Sequence, residues 1–336
     1  MFYNIPMVIL NYISYPFRGV KKFIHFSGVL NYLTQYYLFK VKRPLIVTWS
    51  LTHRCNLDCH YCGFPNLEHK ELSREKLLHL LDLLADQGLK VISITGGEPL
   101  ISPHFKEFVL RARHHGILLN LNSNGLMIPA HIDFIKKHFY QVTVSLDGPP
   151  EINDPIRGDK SSKKALAAIL LLKEHKIAHH VTCVITKSSA YNIAKIVDYS
   201  KEIKTPFSYQ LVFDKTLATF SNHKETLLPI DILKCLDDLM ALKSKSPKTI
   251  KNPYQYFEVL KNQILSSKKV NCRAGEIFLR VEPNGDIRKC SRVTETIPYK
   301  QVINQSISSS FLTLRSFPQC HNCTVQGSLK LGLKSS

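Results

Sequence analysis

Six short apolar segments alternate with amphipathic segments over most of the first two thirds of the chain. The apolar segments predict strands at 45–52, 90–95, 117–122, 140–146, 180–186 and 207–213. The amphipathic segments predict helices at 73–87, 103–115, 130–139, 162–175 and 192–203, and at 229–243 and 253–266. This alternation predicts an α/β fold in which a parallel sheet is covered by helices.

Residues that commonly begin or end helices flank several of these segments. Ser73 and Ser162 are expected to cap the first and fourth helices, and Gly88 and Gly116 are expected to end the first two. A stretch rich in lysine, serine and proline at 243–251 predicts an exposed linker. Functional side chains of (β/α) barrels gather at the carboxyl ends of the strands, so the residues at those ends are the candidates for a site.

Three cysteines directly follow the first predicted strand. Cys55, Cys59 and Cys62 form a C-x3-C-x2-C pattern that lets three thiolates converge on one centre. The residues alone leave two interpretations open. One is a 4Fe–4S cluster whose fourth iron is free to bind a chelating small molecule, and the other is a structural zinc site with histidine as fourth ligand. The candidate histidines are His53, His60 and His69.

Small and polar residues follow the next three predicted strands. Gly96 and Gly97 allow close approach of the backbone to a ligand, and Glu98 can accept hydrogen bonds from an ammonium group, although the turn could equally be a tight connection. The segments 122–125 and 145–148 (NSNG and SLDG) place side chains where a ribose or a carboxylate could bind. Both are also favoured turn sequences, so Asn124 and Asp147 remain open between the two interpretations. Gln210 and Asp214 are candidate substrate contacts by position only.

A second group of cysteines lies near the C-terminus. Asn284 and Gly285 predict a β-hairpin. One cysteine precedes this hairpin, another ends it and a C-x2-C pair follows: Cys272, Cys290, Cys320 and Cys323. Four thiolates complete a metal site, and a zinc ribbon is one interpretation of the spacing. Cys183 and Cys235, which lie within predicted elements, are expected to be buried apolar residues.

The first 43 residues differ in composition from the rest. They contain six basic residues and no Asp or Glu, together with six of the 14 tyrosines and five phenylalanines. The segment suits either the headgroup region of a membrane or packing against the barrel, and it has no apolar run near the ~20 residues needed to span a bilayer.

The net charge of the whole chain, +19, would suit binding to nucleic acid, but the lysines are scattered and no RNA-binding module is recognisable. With clustered cysteines and no secretory signal, we expect a cytoplasmic protein, and the membrane interpretation of residues 1–43 would place it peripherally at the inner face of the membrane.

The first cysteine group resembles the C-x3-C-x-aromatic-C signature of the radical S-adenosylmethionine (SAM) superfamily, with Tyr61 at the aromatic position. This resemblance implies a partial (β/α)6 TIM-type barrel. It also implies that Tyr61 belongs to the cofactor site, and that Gly96, Gly97 and Glu98 bind the SAM amino group. The segment 145–157 resembles one in the SPASM and twitch subfamilies in which a serine and an arginine contact SAM, here Ser145 and Arg157. Ser123 or Asn122 is then expected to bind the ribose.

The C-terminal cysteines resemble those of the twitch domain, an abbreviated SPASM domain that binds one auxiliary 4Fe–4S cluster. The predicted organisation is an N-terminal segment (1–43), a radical SAM barrel (44–250) and a small hairpin and helix domain of the twitch type (251–336). Cys272, Cys290, Cys320 and Cys323 would bind the auxiliary cluster.

The resemblance implies reductive cleavage of SAM to a 5′-deoxyadenosyl radical, which abstracts hydrogen from a substrate for oxidation or maturation. A peptide, a sugar-like alcohol or a lipid-linked molecule is the expected substrate, with flavodoxin or ferredoxin as electron donor. The alternatives are a radical SAM enzyme that modifies nucleic acid and a zinc-binding interaction protein without enzymatic activity.

Overall fold

The computed structural model describes residues 43–64, 70–212, 225–266, 274–290 and 295–304, together with Thr34, Leu38 and Leu67. Its strands form one sheet in the order β6-β5-β4-β3-β2-β1-β7-β8-β9, and neighbouring strands from β6 to β7 are parallel. The strands are β1 (Ile46–Ser50), β2 (Val91–Thr95), β3 (Leu118–Ser123), β4 (Gln141–Ser145), β5 (His179–Ile185), β6 (Phe207–Leu211), β7 (Phe278–Val281), β8 (Ile287–Arg288) and β9 (Thr296–Ile297).

Helices connect the parallel strands. They are α1 (Arg74–Asp86), α2 (Phe105–His114), α3 (Ile128–His138), α4 (Pro150–Arg157), α5 (Ser161–Glu174), α6 (Ile193–Glu202), α7 (Pro229–Lys245), α8 (Tyr254–Ser266) and α9 (Tyr299–Asn304). The six predicted strands and seven predicted helices agree with these bounds to within two residues at each end. The predicted α/β fold with a partial (β/α)6 barrel is therefore confirmed.

The two faces of the sheet have different chemistry. Side chains on one face pack against the helices, as Trp49 does against Phe108 of α2 with ring centres 4.8 Å apart. The opposite face, here called the lumen face, carries polar side chains that bond across strands. Asn122 Nδ2 donates to Ser93 Oγ (2.8 Å), and other lumen-face residues are Thr48, Ser50, Thr143, Ser145, Thr182 and Ser208. The strict two-residue period of a strand produces this separation.

Ser73 caps α1 as predicted, since its side chain accepts a hydrogen bond from the amide of Lys76. The prediction that Ser162 caps the fourth predicted helix is wrong. That helix is α5, which begins at Ser161, and the amide of Ser162 donates to Asp154 (2.8 Å). The reason is α4, an additional helix that contains Pro155 and brings the Asp154 carboxylate to the start of α5.

The predicted exposed linker at 243–251 is only partly correct: residues 244, 245, 247 and 248 are exposed, but the end of the segment is not. Ile250 is buried and pairs with Phe207 of β6, and the side chain of Asn252 bonds both the amide (2.7 Å) and the carbonyl (3.0 Å) of Tyr209. β6 ends the sheet, so its backbone groups need partners other than a further strand. The segment after α7 supplies them.

The predicted C-terminal hairpin is confirmed, and it extends the barrel sheet. β7 pairs in parallel with β1, and β8 turns back against β7 through Asn284 and Gly285, where Gly285 has a φ of +85°. The sheet therefore continues beyond the predicted boundary at 250, and the division into domains remains a prediction. Within the described residues, no helix is both long enough and apolar enough to cross a bilayer. The segment 1–43 lies almost entirely outside those residues.

Candidate active site

Residues 51–64, here called the cysteine loop, follow β1 and contact two other elements. The amide of Gly97 donates to the carbonyl of Thr52 (2.8 Å), and the amide of His60 donates to the carbonyl of Ile156 in α4 (2.9 Å). Parallel strands bring their carboxyl ends to one edge of the sheet, so residues distant in sequence meet here. The loop that carries the three predicted ligands is therefore fixed between α4 and the turn after β2 (residues 96–98, here called the β2 turn).

Gly96 and Gly97 lie directly against the cysteine loop. A Cβ atom on Gly96 would lie 2.2 Å from the carbonyl oxygen of Thr52, and one on Gly97 would lie 2.1 Å from that of Arg54. The amide of Glu98 also donates to Arg54 (2.9 Å). The sequence predicted close approach of these glycines to a ligand, and the close approach in the structure is to the chain's own loop.

Glu98 is completely buried at the base of this turn. Its carboxylate accepts hydrogen bonds from the amides of Leu100 (3.1 Å) and Asn124 (2.8 Å), and the Ser123 hydroxyl lies 3.0 and 3.1 Å from its two oxygens. Burial raises the pKa of Glu98 from 4.5 to about 7, although these hydrogen bonds act in the opposite direction. Such a carboxylate is suited to binding a cationic group, which would favour its ionised form.

The raised pKa of Glu98 predicts a pH-dependent stability of the metal-free protein. The unfolded chain loses the proton near pH 4.5 and the folded chain near pH 7, so the native state loses stability as the pH rises between these values. From pH 5 to pH 8 the loss due to this group is about 2 to 3 kcal/mol. Urea unfolding of Glu98→Gln should lack this loss, whereas equal pH slopes in both proteins would contradict the assignment.

The three thiols of the cysteine loop are shielded from solvent to different extents. Cys59 is buried, and Cys55 and Cys62 are half-buried. Burial raises the pKa of all three, that of Cys59 to about 12 despite the nearby guanidinium of Arg157. Negative charge on Cys62 or Cys55 would raise the pKa of Cys59 further, because the three thiols lie close enough to interact electrostatically. The metal-free thiols are therefore protonated at neutral pH, and metal binding would release protons.

Arg157 connects α4 to the cysteine loop. Its Nε and Nη2 donate to the carboxylate of Asp147 (2.6 and 3.0 Å), and its Nη1 lies 4.0 Å from the Sγ of Cys59. Its guanidinium carbon lies 5.6 Å from the ring centre of Tyr61. The structure thus brings together three residues that the sequence predicted for the site, and places beside them Asp147, which the sequence left open between a binding role and a turn. The sequence signal for Asp147 was the Asp-Gly pair, which a simple turn would share.

The remaining polar candidates occupy different positions. Ser145 ends β4 on the lumen face and is half-buried. Asn122 is bonded within the sheet to a hydroxyl and a carbonyl of β2. Asn124 Nδ2 lies 3.9 Å from the Sγ of Cys55, so the residue is part of the cysteine environment.

The three candidate histidine ligands do not share one environment. His60 is exposed, Nε2 of His53 lies 3.5 Å from a carboxylate oxygen of Glu282, and His69 lies outside the described residues. Among the residues that the structure describes, no three His, Cys, Asp or Glu side chains lie close enough to hold a single metal ion.

Of the C-terminal cysteines, Cys290 is buried at the end of the hairpin. The other three lie outside the described residues: Cys272, Cys320 and Cys323. The auxiliary metal site therefore remains a prediction. Cys183 and Cys235 are buried in the apolar core, as predicted.

Comparison with known proteins identifies the class to which this site belongs. The profile of the radical SAM superfamily matches residues 49–199, from β1 into α6. The matched part of the barrel, from β1 into α6, therefore belongs to the radical SAM superfamily. That superfamily implies a 4Fe–4S cluster and SAM as cofactors, and the three thiols, the buried carboxylate of Glu98 and the guanidinium of Arg157 fit both groups.

Two relatives and one solved structure are particularly similar to this chain. The Fe-coproporphyrin III synthase of Methanosarcina barkeri is 35% identical over 182 residues, which cover 52% of this chain and 45% of that protein. The mycofactocin maturase MftC of Mycobacterium tuberculosis is 31% identical over 163 residues, which cover 47% of this chain and 41% of that protein. The chain thus matches less than half the length of either relative.

The solved structure is Streptococcus suis SuiB bound to the precursor peptide SuiA. It superposes with a TM-score of 0.65 at 16% identity, covering 88% of this chain and 72% of that chain. At this identity the likeness concerns the fold. SuiB has also been solved bound to S-adenosylmethionine.

Proposed function

We propose that this protein is a radical SAM enzyme that abstracts hydrogen from its substrate for oxidation or maturation. The observation that carries the proposal is the meeting of three thiols, the carboxylate of Glu98 and the guanidinium of Arg157 at the carboxyl ends of β1 to β4. Once bound, the reduced cluster and SAM would together supply the reductive cleavage of SAM, which yields a 5′-deoxyadenosyl radical.

The chain's own residues bind and orient these groups. Cys55, Cys59 and Cys62 would hold the cluster through three thiolates, so that SAM could bind it as well. Glu98 accepts hydrogen bonds from the SAM ammonium group, and Arg157 donates to its carboxylate. Four further residues complete the SAM site in this proposal: Tyr61, Gly96, Ser123 and Ser145. Gly97 acts with Gly96 by keeping the β2 turn against the cysteine loop.

A peptide is the substrate that the lumen face favours. A TIM barrel interior is usually filled by branched apolar residues. Here Ile46, Val91 and Leu118 keep that character near the amino ends of the strands, and small hydroxyl and amide side chains line the layers nearer the carboxyl ends. Ser50 Oγ and Gln141 Nε2 are buried and have no hydrogen-bond partner within the described part of the chain. Such a surface suits a molecule with many hydrogen-bonding groups, and the likeness to SuiB supports a peptide. Gln210 is exposed on β6, and the other candidate contact, Asp214, lies outside the described residues.

The remaining parts of the proposal concern partners and the second cluster. Cys272, Cys290, Cys320 and Cys323 would hold one auxiliary 4Fe–4S cluster, which would supply an electron acceptor for oxidation of the substrate. Flavodoxin or ferredoxin supplies electrons to the first cluster. The protein acts in the cytoplasm, and its basic, aromatic segment 1–43 contacts the membrane surface.

Anaerobic purification and reconstitution test the proposal. We expect a brown protein with about eight irons per chain that forms 5′-deoxyadenosine from SAM when reduced. Incubation with separate peptide and small-molecule fractions of a cell extract should yield a peptide that loses mass in multiples of two hydrogens. A colourless protein with stoichiometric zinc would overturn the enzyme assignment, and turnover of small molecules or RNA alone would overturn the peptide assignment.

A further inference from the structure

Asp147 holds one edge of the Arg157 guanidinium. Arg157 Nε lies 2.6 Å from Asp147 Oδ2, and Nη2 lies 3.0 Å from Oδ1. Both side chains are buried, with 7% of the arginine and none of the aspartate exposed to solvent. The planar guanidinium is therefore bound by two parallel hydrogen bonds, an arrangement that defines its orientation as well as its position.

Asp147 is itself fixed by other elements. The amide of Val184 in β5 donates to its Oδ1 (2.7 Å), and the hydroxyl of Tyr61 lies 3.4 Å from its Oδ2. Its own amide donates to the side chain of Asn153 in α4 (2.9 Å). One carboxylate therefore joins the ends of β4 and β5, the helix α4 and the aromatic residue of the cysteine loop.

This arrangement restricts how Arg157 can bind anything else. The Nε and Nη2 edge is already used by Asp147, so a second carboxylate has the Nη1 end available. Nη1 is also the atom 4.0 Å from the Sγ of Cys59. Because the guanidinium is held before any ligand arrives, binding does not have to restrict its rotamers again.

We infer that Asp147 is a positioning residue that orients Arg157 so that its Nη1 end receives the carboxylate of SAM. The inference rests on the proposed function. A different role for Asp147 is purely structural, since removing one partner of a buried ion pair destabilises a fold by itself. Affinity for SAM, measured separately from stability, distinguishes the two roles.

A double-mutant cycle with Asp147→Ala, Arg157→Ala and the combined variant tests the inference. SAM affinity is measured on reconstituted protein by equilibrium dialysis of labelled SAM, and the melting temperature on the metal-free protein. We expect Asp147→Ala to weaken SAM binding by roughly 10- to 100-fold. In the Arg157→Ala background the same substitution should change affinity by less than about twofold, because its effect requires the guanidinium.

Matched variants separate this effect from a loss of folding. Asp82 makes a pair of similar geometry with Arg111 between α1 and α2 (2.8 and 2.7 Å), although 26% of the aspartate and 45% of the arginine side chain are exposed. Its other partner is His115 (2.7 Å), and neither partner belongs to the proposed site, so Asp82→Ala should leave SAM affinity unchanged. If Asp147→Ala does not fold, Asp147→Asn retains the shape and replaces it in the cycle. Unchanged affinity, or equal losses with and without Arg157, would overturn the inference. If the wild-type protein holds its cluster and binds no SAM, the proposed function fails instead.

Discussion

Replacing Cys55, Cys59 and Cys62 together with alanine is expected to abolish 5′-deoxyadenosine formation and to leave about four of about eight irons bound. The three thiols share one loop whose backbone is fixed to the β2 turn and to α4. The other described cysteines, Cys183, Cys235 and Cys290, are all buried, the first two in the apolar core. The measurements are iron and sulfide content after reconstitution, and 5′-deoxyadenosine after reduction with SAM.

Cys183→Ala and Cys235→Ala are the matched controls for this experiment. Each removes a buried thiol that is not a proposed cluster ligand, so each should retain full iron content and product formation while losing about 1 kcal/mol of stability. Continued 5′-deoxyadenosine formation by the triple variant would show that the cysteine assignment is wrong. Equal loss of iron in the controls would show that iron content reports folding and not ligation.

Gly97→Ala is expected to cause a large loss of stability at the site. The new Cβ would lie 2.1 Å from the carbonyl oxygen of Arg54 and 2.6 Å from that of His53. Both contacts are to backbone atoms, which cannot rotate away as a side chain can. Either the β2 turn or the cysteine loop must move, so the free energy of unfolding should fall by about 3 kcal/mol or more. The displaced loop should also fail to retain its cluster.

Gly116→Ala provides the control for Gly97→Ala. Gly116 has a φ of +70° and open space around its missing Cβ, so alanine there meets backbone strain without a collision. We expect it to cost about 1 kcal/mol and to leave the cluster in place. Urea unfolding of the metal-free proteins and iron content after reconstitution measure both effects. Similar stability and iron content in the two variants would contradict the close packing of the β2 turn against the cysteine loop.

Much of the barrel could be predicted because its signals are local. Each strand of the barrel is a short apolar segment, and α1 has both a serine cap and a terminating glycine within its own sequence. The helix α4 was missed because it is short and contains Pro155, a residue that usually interrupts helices. The buried segment at 249–252 was missed because its lysine and proline neighbours indicate exposure, while its position is determined by the unpaired edge of β6.

The sequence by itself determined the chemistry available to this protein: which residues follow each strand, and the spacing that allows three thiolates to share one centre. Only the tertiary structure decided how those residues are used. It placed Gly96 and Gly97 against the cysteine loop, and it paired Arg157 with Asp147 and bound Asp147 to β5. Spacing along the chain is a local property, whereas these contacts depend on which strands are neighbours and in what register they pair.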